Sequence, residues 1–239
     1  MLIATTLTGQ LSLLKLIEAA TLEGISIASA NTDGVLFDCP THLSTQLDEV
    51  MGEWQQSTGF ELETSPYSAI YNSSVNAYIA IKMDGKVKRK GYLADYWSEG
   101  DTRGMLMHNP NMTVCSNAVL AWLTKMVPLE ESIRGCQDVR QFVTVSNVTG
   151  GSTWRNDPVG KVVRYYWSTD GEPILYKKPH PTTGNHRQVA NTDGARPLME
   201  LPEQLPADID YAHYVARAEE ILLDIGYSDP IHLPDLWSK

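Results

Sequence analysis

The stretch ISIASANTDGVLFDC, residues 25–39, decides how this chain is read. Apolar residues run up to Ala30, a polar Asn-Thr-Asp-Gly segment follows, and Val35-Leu36-Phe37 resumes the apolar run. That order predicts strand, tight turn, strand, with Asp33 at the tip of a hairpin. A helix is expected on each side. Before it, Leu7, Leu11, Leu14 and Ile17 recur at helical spacing on a face expected to pack, and Gly24 sits where a left-handed cap belongs. After it, Pro40 ends the second strand, Thr41 can cap a new helix, and Leu43, Leu47, Val50 and Trp54 keep helical spacing as far as Gly59.

Further along, the pattern turns strand-like over 60–64, 67–71, 75–83 and 86–93, with an Asp84-Gly85 turn between the last two. This region holds the densest positive charge: Lys82, Lys86, Lys88, Arg89 and Lys90 place five of the 19 Lys and Arg within nine residues. Gly100, Gly104 and Asn109-Pro110-Asn111 mark a boundary. Beyond it the sequence predicts a helix through Val114, Ala118 and Trp122, a strand over 139–145, and a hairpin of 161–167 with 173–178 around Asp170-Gly171. Residues 179–206 read as mostly irregular, and a last helix spans about 210–225 with Tyr214, Ala218, Ile221 and Leu222 on one face.

A net charge of −10 argues against nucleic acid covering the whole surface but not against a local basic strip. Three cysteines without C-x-x-C spacing support neither a disulfide framework nor a zinc knuckle. No apolar run approaches the roughly 20 residues that span a bilayer, and no basic segment opens a secretory signal, so the expectation is a cytoplasmic protein without membrane attachment.

A carboxylate on a hairpin between apolar strands is well placed as a metal ligand, but Mg²⁺ takes near-octahedral oxygen ligands, so Asp33 needs a partner acid. Asp-Gly is also a favoured turn dipeptide with no function required. The pentapeptide ANTDG recurs at 190–194, in a polar, proline-bounded context that reads as a plain turn. His180, His186 and Asp193 fit neither a helix face nor a zinc spacing. Arg164-Tyr165-Tyr166-Trp167 offers aromatics for stacking on single-stranded bases or, more commonly, for a core.

Three blocks resemble family B DNA polymerases. The run TLTGQLSLLKLIEAATLEGISIASANTDGVLF, residues 6–37, resembles the palm segment in which a helix leads to a strand, an Asp-Thr-Asp-Ser-like turn and a strand. Asp33 takes the place of the second, metal-coordinating acid of that turn; Asn31 stands where the first acid is found, and Thr32 and Gly34 complete it. The run FELETSPYSAIYNSSVNAYIAIKMDGKVKRKGYL, residues 60–93, is similar to the following palm segment, with Tyr78 at the Tyr of a Lys-Lys-Arg-Tyr-like element and Lys90-Gly91 at a later Lys-Gly pair. Val75, Asn76 and Ala77 replace the basic residues before that Tyr. Residues 207–227 resemble a helix near the end of the thumb.

The resemblance implies an α+β fold, with an antiparallel palm-type sheet and packed helices in residues 1–95 and a mixed, thumb-like unit in 96–239. It implies a DNA-directed DNA polymerase of phage-like type using Mg²⁺ or Mn²⁺, with Asp33 as catalytic metal ligand and Tyr78, Lys82, Lys86, Lys88, Arg89 and Lys90 on the primer-template duplex. The exonuclease, fingers and first palm acid have no counterpart in the sequence. The expected arrangement is therefore a C-terminal subunit that acts on dNTP only with an N-terminal subunit carrying them. The alternative is a palm-derived scaffold, without chemistry, that binds DNA or a partner protein.

Overall fold

The computed structural model describes residues 2–94 and 110–226, with the side chains of 2–4 excepted. It is an α+β fold of helices and antiparallel sheets, divided into two compact units: 1–69 with 81–86, and 70–80 with 87–239. Of the expected boundary markers, Gly100, Gly104 and Asn109 lie outside the described residues.

In the first unit, α1 (Leu2–Leu22) ends at Gly24, whose left-handed φ of 79° lets the Ile25 amide donate back to the Ala20 carbonyl at 3.0 Å. The chain then enters β1 (Ser26–Ala30), which pairs antiparallel with β2 (Val35–Asp38). A register shift between Ile27 and Ser29 marks a bulge, a device that sharpens strand twist. Next, α2 (Ser44–Thr58) stops at Gly59, again left-handed. The Trp54 indole donates to the Ser12 carbonyl of α1 at 2.6 Å, and Leu16, Ala20, Ile25 and Trp54 are buried.

The packed face of α1 is formed by Leu16 and Ala20, with Ile17 half-buried, while Leu7, Leu11 and Leu14 are 51%, 63% and 57% exposed, so the apolar row that the spacing marks stays largely open. One expectation for this unit changes. Residues 60–64 form no strand. Their amides are taken by side chains, Phe60 by Thr58 Oγ1 and Leu62 by Gln55 Oε1, and Phe60 stacks on Trp54 with ring centroids 6.0 Å apart.

The strands β3 (Tyr67–Ser74), β4 (Ala77–Lys82) and β5 (Val87–Lys90) form a sheet in that order. Gly91 follows β5 with φ 68°, and a Cβ there would stand 2.3 Å from the Asn76 carbonyl oxygen. Only glycine fits where two backbones meet so closely. Gly91→Ala is expected to destabilise the second unit by about 2–3 kcal/mol, read as a lower denaturant midpoint.

In the second unit, α3 (Thr113–Lys125), α4 (Leu129–Gly135) and α5 (Tyr211–Asp224) share one core with a five-stranded sheet. Its strands are β6 (Thr144–Trp154), β7 (Asp157–Trp167), β8 (Leu175–Pro179), β9 (His186–Gln188) and β10 (Ala195–Pro197), in the order β10-β7-β6-β8-β9. The expected hairpin around Asp170-Gly171 is not formed. β7 turns instead from β6 at Arg155-Asn156, whose φ values of 47° and 71° make the right-twisted two-residue turn that suits a hairpin. The expected strand over 139–145 begins only at Thr144, because the Asp138 carboxylate accepts the Arg140 amide and guanidinium and winds 139–142 into a 3-10 turn. Residues 179–206 are mostly irregular as expected, interrupted by the three-residue strands β9 and β10.

Tyr214 ties the layers together. Fully buried on α5, its hydroxyl donates to the Phe142 carbonyl at 2.8 Å and accepts the Trp167 amide at 2.9 Å. Tyr165, Tyr166 and Trp167 are all buried, so this aromatic run fills the core and offers no stacking platform.

Candidate functional site

The hairpin of β1 and β2 carries the first ANTDG as the sequence predicts. The Asn31 amide donates to the Gly34 carbonyl at 2.9 Å and closes the loop around Thr32 and Asp33. Asn31 Oδ1 accepts the Asp33 amide at 3.2 Å, an Asx turn in which the side chain replaces a backbone acceptor. A Cβ on Gly34 would approach that same oxygen to 3.3 Å, so a small residue favours the turn. Asn31, Thr32 and Asp33 are exposed. The Asp33 carboxylate receives the Thr32 hydroxyl at 3.4 Å, a weak contact that leaves most of its lone pairs toward solvent.

This geometry fits a metal ligand in part. One carboxylate on a short, tied loop is a usable oxygen donor for a hard divalent cation. The other acid of the hairpin, Asp38, pairs with Ser26 at the opposite end, roughly 15 Å away at about 3.4 Å per strand residue. Among the described residues no group of three or more His, Cys, Asp or Glu is placed to hold a metal ion. Any second acid must come from elsewhere.

The basic strip divides by strand parity. On β5, Lys88 and Lys90 point to one side and are exposed, while Arg89 points to the other and donates to Asn117 Oδ1 at 2.7 Å. Asn117 in turn donates to Gln141, so Arg89 anchors the strand to α3. Lys86 sits in the turn, its ammonium 3.1 Å from Asp84; the Lys86 backbone amide first, and then its side chain, hold the Asp84 carboxyl below its usual range. Lys82 and Tyr78 lie on β4, both half-buried. Lys82 and Lys86 belong to the first unit and Tyr78, Lys88, Arg89 and Lys90 to the second.

The second ANTDG takes a different part. Thr192 is fully buried, its hydroxyl donating to the Val189 carbonyl at 2.7 Å and accepting the Ile174 amide at 3.1 Å. Asn191 adopts φ 55°, and its carbonyl accepts the Tyr165 hydroxyl at 3.2 Å. The Asp193 carboxylate accepts from the Gln188 amide at 2.7 Å, while His186 is bonded to the Tyr176 carbonyl oxygen. This copy is a structural tie rather than a free turn. Elsewhere, burial pushes the Cys115 thiol up to about 12, which removes it as a nucleophile at neutral pH.

Sequence reasoning passed over the hairpin of β8 and β9. Its signal is negative: 173–192 contains Lys177, Lys178 and Arg187 but no acid.

No protein-family model matches the chain, and no curated protein matches it in sequence. Among solved structures it is similar to a family B DNA polymerase from the hyperthermophilic archaeon Pyrobaculum calidifontis, at 13% identity and a TM-score of 0.47. That match covers 94% of this chain and 29% of the polymerase, so the chain spans under a third of the length of that neighbour. No helix among the described residues is long and apolar enough to cross a membrane.

Proposed function

We propose that the chain is the C-terminal part of a family B DNA polymerase, contributing one metal-binding aspartate and duplex contacts to template-directed nucleotidyl transfer. The observation that carries this reading is the helix, strand, turn and strand of residues 2–38, with an exposed Asp33 carboxylate at the tip of a loop fixed by Asn31. It is supported by the resemblance of residues 6–37 and 60–93 to consecutive palm segments. On this reading the palm remainder occupies 1–95, the thumb-like unit 96–239, and the protein works in the cytoplasm.

Two divalent ions, Mg²⁺ or Mn²⁺, supply Lewis-acid stabilisation of the attacking and leaving oxygens in such transfers. Asp33 would be one ligand of such an ion, and the remaining acid would come from a segment that also carries the fingers and exonuclease. Asn31 fixes the Asp33 backbone through its side-chain oxygen and adds no charge. Thr32 and Gly34 keep the loop narrow. Lys82, Lys86, Lys88 and Lys90 hold duplex phosphates without reading sequence, Tyr78 lines the same strand pair, and Arg89 positions β5 through Asn117. Leu7, Leu11 and Leu14 form the exposed apolar face on which the N-terminal polymerase segment docks.

The test is Mg²⁺-dependent extension of a primer-template by the chain combined with such a segment. Incorporation of dNTP that needs both pieces supports the reading; a combination that binds DNA yet incorporates nothing favours a scaffold without chemistry. The strip is checked separately. Replacing Lys86, Lys88 and Lys90 by Ala is expected to weaken duplex binding equally for all sequences and to lower the slope of log affinity against log salt by about 2 to 3. An unchanged slope assigns the lysines to a solvated strand edge.

A further inference from the structure

The hairpin of β8 and β9 stands at one edge of the five-stranded sheet. β8 pairs with β6 through Ser152↔Tyr176 and Thr153↔Leu175, and β9 pairs only with β8, through Leu175↔Gln188 and Pro179↔His186. Its far end is closed by the His180 amide on the Asn185 carbonyl at 2.8 Å and the Gly184 amide on the His180 carbonyl at 2.9 Å. Residues 177–179 and 181–188 are all exposed. The result is a two-stranded ribbon that projects its side chains into solvent.

Its charge is one-sided in sign. Between Glu172 and Asp193 there are Lys177, Lys178, Arg187 and two histidines, with no carboxylate, in a chain whose net charge is −10. Among the described residues no acid forms an ion pair with the three cations. Lys177 and Lys178 are consecutive on a strand and so leave opposite faces of the ribbon. Arg187 lies with its guanidinium 5.2 Å from the Tyr176 ring centroid, a contact that holds the side chain extended. Lys177 rests along Gly151, where an added Cβ would stand 3.8 Å from Lys177 Cδ.

We propose that this ribbon enters the major groove of duplex DNA, with Lys177, Lys178 and Arg187 contacting the phosphates on its two walls. The groove, about 12 Å wide, admits a two-stranded β-ribbon, and cations on both faces match a phosphate row on each side. Single-stranded DNA fits less well, since it is held by open aromatic platforms, and the ribbon's one aromatic, Tyr176, is covered by Arg187. The proposal shares the duplex with the polymerase reading but requires neither Asp33 nor nucleotidyl transfer.

The experiment titrates a labelled duplex with the full chain at several salt concentrations in EDTA, without dNTP. The triple variant Lys177→Ala, Lys178→Ala, Arg187→Ala is expected to lower the salt slope by about 2 to 3. It should also lose the protection of guanine N7, a major-groove atom, from dimethyl sulfate. All three residues are exposed, so folding is retained, and Lys177→Arg with Lys178→Arg should keep the parent slope. An unchanged slope and unchanged N7 protection overturn the proposal, as does tighter binding to the single strand than to the duplex. If the triple variant binds like the parent while primer extension proceeds, the ribbon proposal fails and the polymerase reading stands. If the ribbon's contribution is present but no assembly extends a primer, the reverse holds.

Discussion

Asp33→Ala is expected, on the polymerase reading proposed above, to lower nucleotide incorporation by the two combined pieces about a thousandfold or more, while duplex binding and folding stay near parental. Removing a ligand from a two-metal site withdraws several kcal/mol of transition-state stabilisation, and each 1.4 kcal/mol or so is a factor of ten in rate. Stability should move by less than about 0.5 kcal/mol, because Asp33 is exposed and its carboxylate takes only the weak Thr32 contact at 3.4 Å. Asn31→Ala is expected to fall in between: it removes the oxygen that accepts the Asp33 amide, so the carboxylate remains but its loop loosens. Asp193→Ala, in the second copy, loses one exposed bond from Gln188 and should extend primers normally. Ordinary extension rates by Asp33→Ala with Mg²⁺ would end the polymerase reading.

The largest effect on stability is expected at Gly171. A Cβ there would lie 1.9 Å from the Gly194 carbonyl oxygen and 2.2 Å from its carbon, and neither atom belongs to a side chain that can swing away. Relief requires moving the backbone that leads into β10. That backbone is held by the Ser168 amide on the Gly194 carbonyl at 2.9 Å and the Glu172 amide on the Ala195 carbonyl at 3.1 Å. The Trp154 indole also donates to the Ala195 carbonyl, at 3.0 Å. Gly171→Ala is expected to cost about 3–5 kcal/mol, since partly buried donors lose their acceptors as the strand shifts. Urea unfolding followed by tryptophan fluorescence reads this directly, and a midpoint within error of the parent would show that the two segments do not meet so closely.

The same residues explain why some of the fold was legible in the sequence. α5 declares itself because its apolar positions, its Asp210 cap accepting the His213 amide and Gly226 beyond its end all agree, and Tyr214, Ala218, Ile221 and Leu222 are buried as the spacing predicts. The hairpin of Asp33 was legible for the same reason, flanking strands and turn chemistry pointing one way. Asp170-Gly171 misleads because a turn dipeptide reports local bending and not which strands pair. Gly171 is there for close approach to Gly194, and the sheet is set by the partners of β6 and β7. On α1 the spacing gives the helix but not which of its apolar residues are covered: Leu16 and Ala20 are buried, while Leu7, Leu11 and Leu14 stay more than half exposed. The local pattern around Asp33 names no second acid that could share a cation with it.

The two copies of one pentapeptide carry a consequence for reading any set of relatives. At the second copy, Thr192 is locked by the Val189 carbonyl and the Ile174 amide, so purifying selection would hold it there for the sake of folding alone. At the first copy nothing in the packing demands an aspartate: Asp33 faces solvent, and its loop is tied through Asn31. Invariance at Thr192 would therefore speak of architecture, whereas invariance at Asp33, in an exposed loop free to drift, would speak of chemistry.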